Sequence, residues 1–378
     1  HVFDQPADGL APKVVGQEFV QTEIYRILQS FTQQRLNNKL IFLHGPNGSA
    51  KSTIVHALMA GLERYSQLAE GALYSFNWIF PIERTVKSEI GFSSYTQQRE
   101  TLTSYAHLSE HQISAHIPCD LKDHPLLLIP ANRRKEMLME ITGKDQADKI
   151  WDNLPRYLRE GDLSHRNRLI CEALLISYGG DYRKVLMHVQ VERFYLSRRY
   201  RKGLVTIEPQ MHVDAHFRQL TYDRSITSLP TVLQNLSIFT LEGDLVDGNR
   251  GVIEYSDLLK RPLDTFKYLL FACETGSVNI GASIIQLDTV LIGSTNDLQL
   301  DAFKEHPDFG SFKARMNLVR VPYMLNYTQE QEIYSLFLSQ LRPEKHVAPH
   351  VAWILALWAV LTRLKKPNSV NYPPAASH

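Results

Sequence analysis

Apolar residues recur at helical spacing between Val20 and Phe31 (Val20, Ile24, Ile27, Leu28, Phe31), and this stripe predicts an amphipathic helix. It leads into Leu40, Ile41, Phe42 and Leu43, an apolar run that ends at His44 and Gly45 and is followed by a polar loop. Lys51 and Ser52 then open a second helical stripe carried by Ile54, Leu58 and Leu62. Residues 73–79 read as another apolar strand. From about 83 to 205 the pattern is weaker: mixed polar helices, a proline-flanked apolar run at 124–130, and a long helix predicted around 184–200. Short apolar strands return at 237–241, 251–255, 288–293 and 318–321, separated by helical stretches. Strands alternating with helices predict a mostly parallel sheet covered on both faces. After Pro322 the pattern turns helical, over 329–341 and 349–365, as in a small helical lid.

The richest segment is Gly45, Pro46, Asn47, Gly48, Ser49, Ala50, Lys51, Ser52, Thr53. Strand, flexible loop and helix start stand in the order that a P-loop nucleotide site needs. In such a loop the backbone N–H groups point at the β-phosphate and the helix N-terminus favours anionic charge. Lys51 would reach the β- and γ-phosphates of ATP, and the Ser52 hydroxyl would sit on Mg²⁺. One position departs from the motif: Ala50 stands where glycine is expected. Alanine keeps its N–H, so phosphate binding survives a near-helical backbone there and suffers if φ must be positive.

Hydrolysis needs more than a cradle: a carboxylate for the metal or the attacking water, a polar sensor of the γ-phosphate, and positive charge for the transition state. Glu254 and Asp257 lie at the end of the 251–255 strand, where open parallel sheets hold ligands. Two adjacent acids are missing, since Ser256 precedes Asp257, and strand alternation leaves open which acid serves. Either one could also be a solvated strand-end acid. Asn296 ends the next apolar strand and suits a sensor or, equally, an Asx turn. Arg315 follows a polar loop and precedes the last strand; an arginine finger delivered from a neighbouring subunit and a surface salt bridge both fit it. Arg363 sits among Trp358, Val360, Leu361 and Leu364, so its charge needs a partner, either ATP or a structural carboxylate.

Composition narrows the classes. A net charge of +1 over 378 residues builds no field that argues for a nucleic-acid or membrane partner. Cys119, Cys171 and Cys273 are far apart and odd in number, which fits a reducing, cytoplasmic compartment. The start at His1 without an initiator Met and the Pro-containing end read as an internal piece of something longer.

The order of parts resembles an AAA+ ATPase, and more closely the AAA+ domain of the PrkA family of bacterial serine protein kinases. The residues that carry the likeness are Val15, Gly16 and Gln17, the 45–52 loop, Asn249 through Glu254, Lys260, Asn296, Arg315, and Val321 through Tyr323. The tail, with His346, Pro349, His350, Arg363 and Lys365, is especially like that family. The resemblance implies an AAA+ core over 1–325 with a helical insertion at about 83–205, and a lid over 326–378 that continues into a further C-terminal region. It implies Val15 and Gly16 near the nucleotide, Glu254 and Asp257 as strand-end acids, Asn296 as first sensor, Arg315 as arginine finger and Arg363 as second sensor. It further implies self-association into a ring or arc and action on a protein substrate or attached effector domain. Kinase activity in that family is assigned to a region beyond the ATPase.

Other motifs compete weakly. Asp308-Phe309-Gly310 and His165-Arg166-Asn167 echo protein-kinase motifs without the strands and loops that give those meaning. His107, His111, His116, Cys119 and His124 lie close in sequence without a C-x-x-C pair to complete a zinc set, and read as a histidine-rich insertion. Arg198 through Lys202, flanked by Tyr195, read as a solvated basic helix end rather than a phosphate-backbone grip. Two functions remain: an oligomeric AAA+ ATPase that acts on a protein partner, and a nucleotide-switched regulatory module with little hydrolysis.

Overall fold

The computed structural model describes residues 14–34, 39–82, 104–209, 216–219, 239–280, 283–339 and 346–364. In chain order the strands are β1 (Leu40–His44), β2 (Leu73–Pro81), β3 (Ile113–Pro118), β4 (Val189–Phe194), β5 (Leu204–Ile207), β6 (His216–Gln219), β7 (Phe239–Glu242), β8 (Val252–Tyr255), β9 (Ser277–Ile280), β10 (Ser283–Gln286), β11 (Val290–Thr295) and β12 (Met316–Arg320). Five of them form one all-parallel sheet in the order β12-β1-β11-β8-β5.

A central parallel strand is covered on both faces, so it reads as a continuous apolar run, and β1 is that strand. Its alternate side chains split between two cores. Ile41 and Leu43 pack with Val20, Ile24 and Phe31 of helix α1 (Glu18–Gln34) and with Ile54 and Leu58 of helix α2 (Lys51–Gln67). Leu40 and Phe42 face the other way, onto Phe266, Leu269, Phe303 and Phe312. Burying side chains of this size contributes about 1.5–3 kcal/mol each, which anchors the strand that leads into the 45–52 loop.

The strand predicted at 73–79 is present as β2 but does not join this sheet. It pairs antiparallel with β3 and β4, and Phe76, Trp78 and Phe80 head a separate core with Ile170 and Leu174. The long helix expected at 184–200 is a correction: the helix is short, Tyr182–Met187, and β4 follows at once. The physical reason is the antiparallel pairing of Val189–Phe194 with β2, in which the Val189 and Phe194 ends reach the interior while Val191 and Glu192 stay exposed. Likewise the run 124–130 holds one turn of 3₁₀ helix, Pro125–Leu128, capped by His124, whose Nδ1 accepts from the Leu126 N–H at 3.1 Å. The strand predicted at 237–241 lies partly outside the described residues; the described part is β7, paired antiparallel with β6. Helices Tyr327–Ser339 and Val351–Arg363 pack on one another as the predicted lid hairpin, and the predicted ends at 341 and 365 lie outside the described residues.

The β2-β3-β4 unit is fastened to the core by polar bonds. Lys122 Nζ donates to the Val246 carbonyl at 2.9 Å, and Asn249 Nδ2 donates to the Leu121 carbonyl at 2.8 Å. His124 lies beside this seam, and burial, aided by the charge of Arg250, pushes its pKa down to about 4. A histidine depressed in the folded state binds its proton more readily when unfolded, so stability is lost as pH falls from about 6.5 toward 4. We expect the melting temperature to drop over that window, and the drop to be smaller in His124→Asn. Equal pH slopes for the two proteins would refute this role for His124.

Candidate functional site

The parallel register sets His44 level with Thr295 on one side and Arg320 on the other. Three strands therefore end at one edge, the edge at which open parallel sheets gather ligands. The chain leaves β1 through Gly45, whose place no other residue can take: a Cβ there would stand 2.0 Å from the Val321 carbonyl oxygen. The Val321 N–H donates in turn to the His44 carbonyl at 2.7 Å. Asn47 and Gly48 form the exposed crest of the loop.

Ala50 lies in the left-handed region, φ 72° and ψ 19°, and immediately precedes α2. No side chain caps α2, so the N–H groups of its first turn are left to an anion. Ser49 Oγ is buried and, among the described residues, has no hydrogen-bond partner. Lys51 Nζ folds back to donate to the Gly45 carbonyl at 2.8 Å and the Pro46 carbonyl at 2.9 Å. Burial lowers the Lys51 pKa, and the carboxylates of Asp257 and Asp297 act against that shift. An orphan hydroxyl, an uncapped helix start and an ammonium on a flexible stem are the donor set a phosphate group fits. Ser52 is exposed on the first turn of α2, and Thr53 is half-buried beside it.

Glu254 and Asp257 part company in this geometry. Glu254 pairs in register with Ile292, which pairs with Ile41, four residues before Gly45. It is 1 % exposed, accepts from Thr206 Oγ1 at 2.8 Å, and lies 3.7 Å from His56 Nε2 of α2. Burial raises its pKa, and the Thr206 bond and His56 hold the rise back. Asp257 lies two residues past the end of β8, in the left-handed region at φ 46°, beside the end of β11. Its N–H donates to Ser294 Oγ at 3.2 Å, and its carboxylate is ion-paired with Lys260. Asp257, then, shares the edge with the loop, while Glu254 lies under α2.

The other expected residues scatter. Asn296 follows β11 at the same edge and caps helix Asp297–Lys304, its Oδ1 accepting from the Gln299 N–H at 2.8 Å. Arg315 is at the opposite edge: its carbonyl accepts from the N–H of Leu40, the first residue of β1. About 13 Å of strand separates that level from His44. Its guanidinium bonds Glu274 at 2.5 Å and the Ser311 carbonyl at 3.0 Å. Arg363 makes a bidentate pair with Glu330, both bonds 2.8 Å, and also donates to the Met324 carbonyl. Val15 is buried, and Gly16, at φ 72°, passes so close to the lid that a Cβ would meet Met324 Cε at 2.7 Å. Gln17 Nε2 completes that junction by donating to the Pro322 carbonyl at 2.7 Å.

Four residues at the site escaped the sequence reading: His44, His56, Thr206 and Asp297. His44 Nδ1 and Asp297 Oδ1 are 2.9 Å apart across 253 positions of chain. For His44, His56 and Asp297 the only local signal was an ionisable residue near motifs already recognised, and Thr206 gave none.

Comparisons with known proteins give a consistent family. The family model described as the PrkA AAA domain matches residues 91–371. The "ATP-dependent protease PrkA" of Bacillus subtilis (strain 168) is 24% identical over 337 residues, 88% of this chain and 44% of that protein. The "Serine/threonine kinase YeaG" of Escherichia coli (strain K12) is 25% identical over 199 residues, 52% of this chain and 30% of that protein. The chain thus spans less than half the length of either relative. A solved complex of magnesium chelatase subunits BchI and BchD covers 92% of this chain and 71% of its own at 14% identity, with a TM-score of 0.38. NtrX from Brucella abortus covers 48% of this chain and 46% of its own at 15% identity, with a TM-score of 0.30.

Holding alanine in the left-handed region costs roughly 1–2 kcal/mol, and glycine returns about 0.5–1 kcal/mol of that as extra freedom in the unfolded chain. Ala50→Gly is expected to stabilise the protein by about 0.5–1 kcal/mol in urea unfolding. A destabilised variant would contradict the strain assigned to this position.

Proposed function

The chain belongs to the PrkA AAA family, and from that premise we propose that it is the AAA+ ATPase module of a PrkA-like serine protein kinase. In this reading it binds and hydrolyses Mg-ATP to drive a conformational change in, or regulate, a protein partner or an attached effector domain. The observation that carries it is the meeting, at one sheet edge, of the Gly45–Ser52 loop with Asp257 and Asn296. The names of the relatives point to ATP-dependent proteolysis in one case and serine/threonine phosphorylation in the other.

Lys51 would leave the Gly45 and Pro46 carbonyls for the β- and γ-phosphates, and Ser49 Oγ and the first N–H groups of α2 would hold the phosphate oxygens. Ser52 and Asp257 would hold Mg²⁺, which supplies charge neutralisation between the β- and γ-phosphates. Asp257 also stands where a carboxylate can orient the attacking water. The Asn296 oxygen is committed to its helix cap, which leaves Nδ2 to turn toward the γ-phosphate. Val15 and Gly16, at the junction of core and lid, would cover the nucleoside. Arg363 would serve as second sensor only by exchanging Glu330 for phosphate, which makes that pair a latch between lid and nucleotide.

Self-association follows from two features. Arg315 stands too far from its own loop to reach it, which supports delivery to another subunit's loop. The lid helix Val351–Arg363 also exposes Trp353, Ile354, Trp358 and Leu361, with Trp358 69% exposed, an apolar face suited to cover by a neighbour. We place the module in the cytoplasm, in keeping with three buried free cysteines. No helix among the described residues is long and apolar enough to cross a membrane. A second reading, a switch that hydrolyses slowly, is favoured by Ala50, whose left-handed backbone strains the loop at its last turn.

Lys51→Ala removes a charged donor worth about 1.5–3 kcal/mol, so Mg-ATP affinity measured by calorimetry should fall about 10- to 100-fold. Full affinity in the variant would reject the site. Asp257→Asn is expected to lower steady-state turnover by about 10²-fold or more with little change in binding, and Glu254→Gln to lower it less. The reverse ranking would move the catalytic acid to Glu254, and negligible turnover in the wild type would favour the switch. Arg315→Ala and Lys51→Ala, each inactive alone, should regain partial activity when mixed, since some interfaces then join an intact loop to an intact arginine. Concentration-independent turnover by a strict monomer, with no rescue on mixing, would exclude delivery in trans.

A further inference from the structure

We infer that Asp297 is the second carboxylate of the nucleotide site, fixed by His44, and that with Asp257 it holds the hydrated Mg²⁺ of Mg-ATP. The inference rests on the nucleotide reading above and adds to it a metal-side residue and the residue that positions it.

The starting point is a deficit. The strand-end acids of a P-loop ATPase work as a pair, one for the metal and one for the water, and here Ser256 occupies the place beside Asp257. Glu254 does not make up the deficit. It is level with Ile41, buried beneath α2 and hydrogen-bonded to Thr206, several residues short of the edge.

Asp297 is where the second acid is needed. It directly follows Asn296 at the end of β11, the strand lying between β1, which leads into the loop, and β8, which ends two residues before Asp257. Its side chain is 40% exposed, open to a hydrated ion. The charges of Asp257 and Asp297 both act to raise the Lys51 pKa against the lowering by burial, in keeping with their places after β8 and β11.

An exposed aspartate swings freely unless something holds it. His44 does this from the last position of β1: its ring is 17% exposed and Nδ1 is 2.9 Å from Asp297 Oδ1. A carboxylate only accepts, so Nδ1 carries the proton and donates. The other carboxylate oxygen is left for a metal-bound water. The pair ties the metal side of the site to the residue immediately before Gly45, so loop and carboxylate keep one geometry. A negative charge at a helix start would by itself favour Asp297 at the head of helix Asp297–Lys304, but that role needs no histidine and no magnesium.

The test is calorimetric titration of the full chain with ATP in Mg²⁺ and again in excess EDTA, for the wild type, Asp297→Asn, His44→Ala, His44→Asn and Glu254→Gln. Loss of a residue holding metal through water or orienting such a residue costs about 10- to 100-fold in metal affinity. In Asp297→Asn the Mg²⁺-dependent gain in ATP affinity should shrink by about tenfold or more, while metal-free ATP binding stays equal or tightens. His44→Ala should lose part of the gain and His44→Asn, which retains a donor, should recover some of it. Glu254→Gln should keep the wild-type gain. Because Asp297 and His44 lie at an edge, melting curves should match the wild type; a variant that melts early is replaced in the comparison by the other residue's variant. A wild-type Mg²⁺ gain in both Asp297→Asn and His44→Ala overturns the inference while leaving the nucleotide site intact. Absence of ATP binding by the wild type overturns the nucleotide reading and this inference with it.

Discussion

The close approach of Gly45 to the Val321 carbonyl is the contact on which the remaining geometry depends. It admits no side chain at Gly45, and the Val321 N–H closes the same junction from the other side by bonding the His44 carbonyl. The phosphate loop is thereby built onto the end of β12. Pro322 and Met324, which follow, receive Gln17 and crowd Gly16, so the N-terminal segment and the base of the lid are drawn to the same place. One backbone contact sets the 45–52 loop, the start of the lid and the Gly16–Gln17 segment in fixed relation. A substitution there would act on all three together.

Around that junction the polar groups divide by what they cost. Glu254 is a carboxylate taken out of water, and its hydrogen bond to Thr206 and nearness to His56 offset a desolvation that would otherwise run to several kcal/mol. Glu330 is buried too, and the Arg363 fork satisfies both of its oxygens while holding the two lid helices together. Asp257 and Asp297 are only half-buried and keep water within reach. The first pair of acids is enclosed with its partners, and the second keeps access to solvent. Burial and register separate the two sets where residue type does not.

Most of the core was legible because its strands are short apolar runs ending at polar residues: β1, β8, β11 and β12 all read this way. The loop was legible as a motif, and Ala50 was visible as its one departure, although only the backbone gave the sign of its φ. The insertion was harder. Val189 through Phe194 follow a genuine helix without a break and alternate too briefly to outweigh it, and β5 has only four residues after a basic stretch. β2 was found as a strand, but its partners lie 32 to 121 residues away, from Pro81↔Ile113 to Leu73↔Phe194, a pairing no local pattern encodes. At the site, alternation could not choose between Glu254 and Asp257, because the choice depends on register against β11. The partners of Arg363 and His44, Glu330 and Asp297, are likewise distant in sequence. Residue types at the site were readable; their pairings were tertiary.

The central claim is that Lys51 is held in reserve on the loop's own carbonyls for a nucleotide that this edge of the sheet is shaped to receive. A crystal structure of the protein with Mg²⁺ and a non-hydrolysable ATP analogue tests it most directly. The account predicts phosphates in the 45–52 loop, with Lys51 Nζ moved from Gly45 and Pro46 to the β- and γ-phosphate oxygens, and Ser49 Oγ bonded to the phosphates. A nucleotide bound elsewhere, or Lys51 still on the two carbonyls with the analogue in place, would contradict it.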